Sequence, residues 1–198
     1  MNNKIKKTYK IKKTKSKTKS KTFSLKDYNN GDGMLTSVWG PSIWHYLHII
    51  SFNYPVNPTE KDKRNYRTLI WNLQYTLPCK YCRINLSNNF KKFPLTNDIF
   101  NSRNTFSRYI YNLHELINKM LGKNSNLTYC EVRDRYENFR SRCINENPNL
   151  FNYKNLKKEN GCITPLYGKK AKCVIKIVPQ ETKCQTLSID KKCIKKRL

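Results

Sequence analysis

Two cysteines three positions apart, Cys79 and Cys82 in Leu77-Pro78-Cys79-Lys80-Tyr81-Cys82, are the side chains of this 198-residue sequence best suited to do chemistry. A dithiol at this spacing closes into a reversible disulfide and can handle electrons through sulfur. The spacing alone has other meanings. A structural zinc site needs four Cys or His ligands in two close pairs, but the other cysteines lie nine or more residues apart with no histidine beside them, so no metal is expected. A thioredoxin-like motif needs a strand before its first cysteine, whereas a helical pattern precedes Cys79. Burial as two small hydrophobes accounts for one cysteine better than for a pair at a helix start. If Pro78 and Cys79 open a helix, its free N–H groups and dipole lower the cysteine pKa and raise the thiolate fraction.

The elements that must position this pair read as helices. After Gly31-Asp32-Gly33 the apolar residues take up a helical period and keep it for about a hundred residues. Ser37 is the expected cap of a first helix, with Pro41 near its first turn. Ile43, Trp44, Leu47 and Ile50, with His48, share a face until Pro55 ends it. Thr59 and Asp62 form an acidic capping box before Tyr66, Leu69, Ile70 and Leu73. A third, short helix runs from Pro78 or Cys79 through Phe90. A fourth spans about 103–121 on the stripe Phe106, Ile110, Leu113, Ile117 and Met120 or Leu121, closed by Gly122. Val132, Tyr136, Phe139 and Cys143 mark a fifth. The expectation is all-α: a four-helix bundle plus a short fifth helix, with basic, largely irregular tails. The limits expected are a Lys-rich disordered tail over 1–33, the domain over 34–143 and a Cys/Lys-rich extension over 144–198.

Charge follows the same division. Forty Lys and Arg oppose thirteen Asp and Glu, and residues 1–26 hold eleven lysines and no acid. That stretch has too little apolar surface to offset its ordering entropy. It is either an electrostatic tail for nucleic acid, an anionic surface or an acidic partner, or a solubilising tail. It has no apolar core of a secretory signal, and nothing later approaches the ~20 apolar residues of a membrane span. The competing class is a basic nucleic-acid-binding protein whose cysteines only staple the fold.

Dithiol exchange moves electrons between sulfur pairs, so net oxidation needs another acceptor, and the cluster Trp39-Gly40-Pro41-Ser42-Ile43-Trp44-His45-Tyr46-Leu47-His48 points to a flavin. Trp44 and His48 are one turn apart, as are His114 and Asn118, and together they outline a slot for a planar ring with polar edges. Taken singly, Trp44 reads as core and His48 as a satisfied buried histidine. In order, the Trp-Gly-Pro segment, Tyr54-Pro55, Pro78-Cys79-x-x-Cys82 and His114-Glu115-Leu116-Ile117-Asn118-Lys119-Met120-Leu121-Gly122-Lys123 resemble the ERV/ALR FAD-linked sulfhydryl oxidases over about 36–143. That resemblance implies a helical bundle holding FAD, usually as a homodimer, that oxidises thiols of a thioredoxin-like or direct client protein with O2, making disulfide and H2O2. It implies Cys82 beside the flavin and Cys79 as the interchange thiol. Trp39, Gly40, Trp44, His48, His114, Asn118, Leu121 and Lys123 would hold FAD, with Arg135 and Tyr136 resembling an Arg-Trp pair at a one-residue shift.

Glu115 departs from the family's amide, and Leu77 from an aromatic that often precedes Pro-Cys. Cys130 matches a structural cysteine of the family, but its usual partner position near Tyr111 holds no cysteine, which leaves Cys143. A continuous helix between Cys130 and Cys143, with ~20 Å of rise, forbids that pair. Cys162, Cys173, Cys184 and Cys193 recur with a faint Lys-Cys repeat around a candidate strand, Val174-Ile175-Lys176-Ile177-Val178. They read as a relay pair for electrons or as staples in the tail, and the lack of a CxxC among them favours the latter. Eight cysteines without a secretion signal fit an enzyme that makes its own disulfides. The lysine- and asparagine-rich composition points to a viral member in a virion or host cytoplasm; the other expected setting is the mitochondrial intermembrane space.

Overall fold

The computed structural model describes residues 24–142, 162–185 and 187–195. Two compact units divide the chain, Met1–Gly31 and Asp32–Leu198. In the first, a four-residue helix α1 (Leu25–Tyr28) closes on a capping box between Ser24 and Asp27, within the stretch expected to be disordered. The rest of the lysine-rich segment, residues 1–23, lies outside the described residues.

In the second unit α2 (Thr36–Phe52), α3 (Glu60–Thr76), α4 (Lys80–Lys92) and α5 (Arg103–Met120) form the bundle, with α6 (Tyr129–Glu137) as the short fifth helix. Polar side chains define most of their starts. Thr59 and Asp62 cap α3 reciprocally, Ser102 and Thr105 do the same for α5, and Thr128 and Glu131 for α6. α2 is different. Its N-cap is Leu35, with no side-chain acceptor, and Ser37, the expected cap, lies inside the helix. The chain entering α2 is fixed instead by backbone pairing to the segment before α4, described below.

The core gathers Leu47 of α2, Ile70 of α3, Leu86 and Phe90 of α4, and Phe106, Tyr109, Ile110 and Leu113 of α5. Phe100, on a 3-10 turn (Asn97–Asn101) that periodicity left as a connection, also enters the core. Its carbonyl accepts from the buried Tyr54 hydroxyl at 2.8 Å. The α5 stripe ends at Ile117, because Met120 and Leu121 are about half exposed or more (51% and 59%). Gly122 follows with φ of +65°, the left-handed conformation expected after a helix C-cap.

α6 is shorter than its stripe predicts. Asn138 caps it, so Phe139 lies beyond its end. Arg140 then donates to the Phe52 carbonyl at 2.6 Å while pairing with Glu137, and this long-range anchor turns the chain away from the helix axis. Cys143 lies outside the described residues. The chain continues into β1 (Ser141–Arg142), which pairs antiparallel with β2 (Thr164–Pro165). The expected strand 174–178 is not formed. Val174, Ile175 and Ile177 are exposed, and among the described residues they join no strand. The Lys195 amide donates to Asn138 Oδ1 at 2.7 Å, holding the end of the described chain against the cap of α6. No helix among the described residues is long and apolar enough to cross a membrane.

Candidate active site

Cys79 and Cys82 form a disulfide with their Cα atoms 5.2 Å apart, inside the ordinary range for such a bond. Cys79 is the N-cap of α4 in an extended conformation, and its sulfur accepts from the Cys82 amide at 3.2 Å. Both residues are half-buried. A short strap crosses them: the Met34 amide donates to the Pro78 carbonyl at 2.7 Å, and the Lys80 amide to the Asp32 carbonyl at 3.0 Å. Gly33 pairs with Cys79 as an isolated antiparallel bridge. Its φ is +121°, and a β-carbon there would stand 2.6 Å from the Pro78 carbonyl oxygen, so only glycine lets the strap lie this close. One turn on, Thr36 Oγ1 lies 3.8 Å from Cys82 Sγ.

At the far half of α2 stands a second cluster. Trp44 stacks on His114 of α5 at 3.9 Å and 7° between planes. His48 Nε2 is 3.0 Å from His114 Nδ1, so one ring donates to the other. Tyr136 of α6 stacks on His48 at 5.1 Å, and its hydroxyl lies 3.3 Å from His45 Nδ1. Burial lowers His48 to about 3, with further repulsion from His114 and His45, and lowers His114 to about 4. Both rings are therefore neutral at pH 7. Burial also pushes the Tyr136 hydroxyl up to about 12. The expected slot between Trp44 and His114 is closed, since the two rings touch each other and leave their edges and outer faces to a ligand. Asn118 donates to Glu115 Oε1 at 3.1 Å, so the residue that departs from the family's amide engages the neighbouring amide directly.

The remaining expected residues divide. Lys123 is exposed at the end of α5, and its charge reaches His114. Arg135 is exposed on α6 next to Tyr136, and Leu121 is exposed. Trp39 does not join the histidine cluster. Its indole N–H donates to the Met34 carbonyl at 3.1 Å, and its ring lines an apolar groove of about 400 Å³ with Ile43, Tyr46, Leu73, Leu77 and Pro78. Trp44 lies five positions after Trp39, which puts them roughly 140° apart around the helix. Cys130 is a free, exposed thiol in the first turn of α6, correcting the expected Cys130–Cys143 pair, and the helix runs on from it to Glu137. Cys162 is disulfide-bonded, whereas Cys173, Cys184 and Cys193 are free thiols.

The two clusters share one row of α2. Thr36, Gly40, Trp44 and His48 recur every fourth residue, so they form a row that winds about 40° per step around the helix over roughly 18 Å. A β-carbon on buried Gly40 would meet only Thr36 Cγ2, at 3.6 Å, which leaves room above the backbone between sulfur and imidazoles. His48 Nδ1 is buried without a hydrogen-bond partner among the described residues, a costly condition that a polar ligand atom would relieve. A clear backbone strip with a disulfide at one end, ringed polar groups at the other and cations at its margin suits an elongated, two-ringed anionic group. FAD fits that description. Sequence reasoning missed Gly33, Thr36 and His45; the last lies three residues before His48, a helical neighbour of the cluster.

The family model of the Erv1 / Alr family matches residues 41–137. The probable FAD-linked sulfhydryl oxidase R368 of Acanthamoeba polyphaga mimivirus is 37% identical over 99 residues, covering 50% of this chain and 68% of that protein. The putative FAD-linked sulfhydryl oxidase 347L of Invertebrate iridescent virus 6 is 30% identical over 90 residues, 43% of this chain and 81% of that one. The crystal structure of the FAD binding domain of Erv1 from Saccharomyces cerevisiae aligns at 22% identity and a TM-score of 0.48, covering 52% of this chain and 94% of that one. The chain belongs to the Erv1/Alr family.

Proposed function

We propose that this chain is an FAD-linked sulfhydryl oxidase that makes disulfides in thiol-containing client proteins and reduces O2 to H2O2. The observation that carries this reading is the Cys79–Cys82 disulfide at the start of α4, placed against the same row of α2 that leads to the Trp44, His48 and His114 cluster.

A client thiolate attacks Cys79 Sγ, forming a mixed disulfide, and the electron pair of the broken S–S bond leaves on Cys82 as thiolate. A second client thiolate resolves the mixed disulfide, so the client leaves oxidised and Cys79 takes up a proton as a thiol. FAD, when bound, would supply the acceptor for the two electrons then held by the cysteines, with O2 as the final oxidant. Cys82 would serve that acceptor and Cys79 the client. Trp44, His48, His114, Asn118 and Tyr136 would hold the group, and Gly40 would leave it room beside α2. Lys123 and Arg135 would offer cations to its phosphates. Trp39 acts through the strap, because its ring lies on another face.

The free thiols of the C-terminal segment supply a relay between client and Cys79. A second copy covers the apolar groove, whose wall includes the exposed Tyr46 of α2, giving a homodimer. Purified protein is expected to be yellow, to consume O2 with dithiothreitol, to lose that activity on Cys82→Ala and to run as a dimer by light scattering. A colourless protein with tight, salt-sensitive nucleic-acid binding would overturn the reading in favour of a basic binding protein.

A further inference from the structure

We infer that Thr36 is a positioning residue for Cys82: when the Cys79–Cys82 disulfide is opened, the Thr36 hydroxyl donates a hydrogen bond to the departing Cys82 thiolate and holds it against the row of α2. This inference rests on the thiol-exchange reading above and adds a group to it.

Three observations carry it. Thr36 Oγ1 is already 3.8 Å from Cys82 Sγ in the disulfide state, where the sulfur bears no charge and attracts a hydroxyl weakly. The contact links residues 46 positions apart, and it is held by the strap rather than by local chain. Asp32, Gly33 and Met34 are locked to Pro78, Cys79 and Lys80 by the two main-chain hydrogen bonds that make the Gly33–Cys79 bridge. The Trp39 indole ties Met34 back onto α2. Thr36 follows Met34 by two residues, so its distance to Cys82 is set by the same pairing that sets Cys79. Finally, Thr36 is the first residue of α2 and Cys82 the third of α4, so the amino ends of two helices converge on one sulfur. Each end favours negative charge there.

The consequence concerns the first exchange step. Attack on Cys79 makes Cys82 the leaving group, and a leaving thiolate of lower basicity departs faster. A hydrogen bond to an ionised sulfur is stronger than one to a neutral sulfur, so the Thr36 hydroxyl assists the step in which charge appears. No other side-chain hydroxyl is hydrogen-bonded to Cys82 among the contacts of the described residues.

The test uses full-length protein carrying Cys79→Ser, so that Cys82 stays a thiol, and follows Cys82 alkylation by iodoacetamide against pH with peptide-resolved mass spectrometry. Thr36→Val and Thr36→Ala are each expected to raise the apparent Cys82 pKa by about 0.5–1 unit, leaving roughly three- to tenfold less thiolate at a pH below it. Thr36→Ser is expected to restore the starting value. An unchanged pKa in the Val and Ala variants overturns the inference, and so does an equal rise in the Ser variant, which would mark a packing effect. The readout needs neither flavin nor O2, so it fails independently of the oxidase reading.

Discussion

The backbone of α2 at Gly40 offers the sharpest perturbation, because Gly40→Ala should separate cofactor binding from the stability of the fold. Apart from its chain neighbours, the new methyl meets only Thr36 Cγ2, at 3.6 Å, an ordinary van der Waals contact. Gly40 is the fifth residue of a 17-residue helix, where alanine is favoured over glycine by about 0.5–1 kcal/mol, but the Pro41 ring that follows disfavours a β-carbon in helical geometry. The two terms oppose each other, and for a chain of this size they move the Tm of the FAD-free protein by no more than about 4 °C. The same methyl fills the space through which FAD would reach α2. Crowding a seated ring costs about 1–3 kcal/mol, hence FAD binding weaker by roughly five- to 150-fold. Thermal melts with and without added FAD, together with flavin absorbance after gel filtration, read both effects. The expected pattern is a Tm without FAD within about 4 °C of the unmodified protein's, a smaller rise on adding it, and less retained flavin. FAD affinity equal to that of the unmodified protein would refute the placement of the cofactor along this row. A far larger fall in Tm without FAD would show instead that protein atoms, and not a cofactor, fill the space above Gly40.

The histidine cluster makes a prediction about stability and pH. His48 and His114 titrate near 3 and 4 in the fold against an ordinary 6.5 unfolded. Their contribution is therefore complete above about pH 6.5 and is lost as pH falls toward 3–4, because the unfolded chain takes up protons that the fold refuses. At pH 5 each neutral ring costs about 2 kcal/mol, roughly 4–8 °C of Tm, in FAD-free protein. Melts from pH 7.5 to 5 should show this slope, flattened by His48→Gln with His114→Asn; equal slopes would remove the two rings as its source. For the C-terminal thiols, Cys173→Ser, Cys184→Ser and Cys193→Ser combined should slow turnover of a reduced protein client several-fold while leaving dithiothreitol oxidation unchanged. Unchanged turnover with the protein client would sink the relay.

Where a boundary depends on local chemistry, it was readable from residue types. Thr59 with Asp62 announces α3, the stripe of Phe106, Ile110 and Leu113 announces α5, and Pro78-Cys79 opens α4 with the sulfur itself as the cap. The periodicity also put Trp44 and His48 on one face, and the fold brings that face to His114. What stayed hidden depends on contacts between distant segments. The start of α2 is fixed by Gly33 against Cys79, a backbone pairing that leaves no side-chain signature beyond a glycine. The end of α6 is fixed by Arg140 reaching the Phe52 carbonyl, 88 positions away, although Phe139 continues the apolar pattern. Trp39 stands in the expected cofactor set through the resemblance of its Trp-Gly-Pro segment, and since one helical residue is a rotation of about 100°, its ring lines the groove while Gly40 lies on the row.

The charge pattern along α2 follows from a contest of magnitudes. A helix dipole favours anions at its first turn and cations at its last, by about 0.3–1 kcal/mol and at most about 2. At the Thr36 end that preference works against the partial desolvation of Cys82, which is half-buried and also lies in the first turn of α4. His48 stands before the last turn of α2, where the dipole's pull toward a protonated ring has faded. Burial decides there, lowering His48 from 6.5 to about 3. The imidazoles thus stay neutral hydrogen-bonding groups throughout the neutral range, and His48 Nδ1 keeps its capacity for a ligand atom. Along the row from Thr36 to His48, the group whose charge changes during thiol exchange is the sulfur of Cys82. Any pH dependence of that step near neutrality is therefore a property of the cysteines and of the groups that touch them, and not of the histidines that hold the far end of the site.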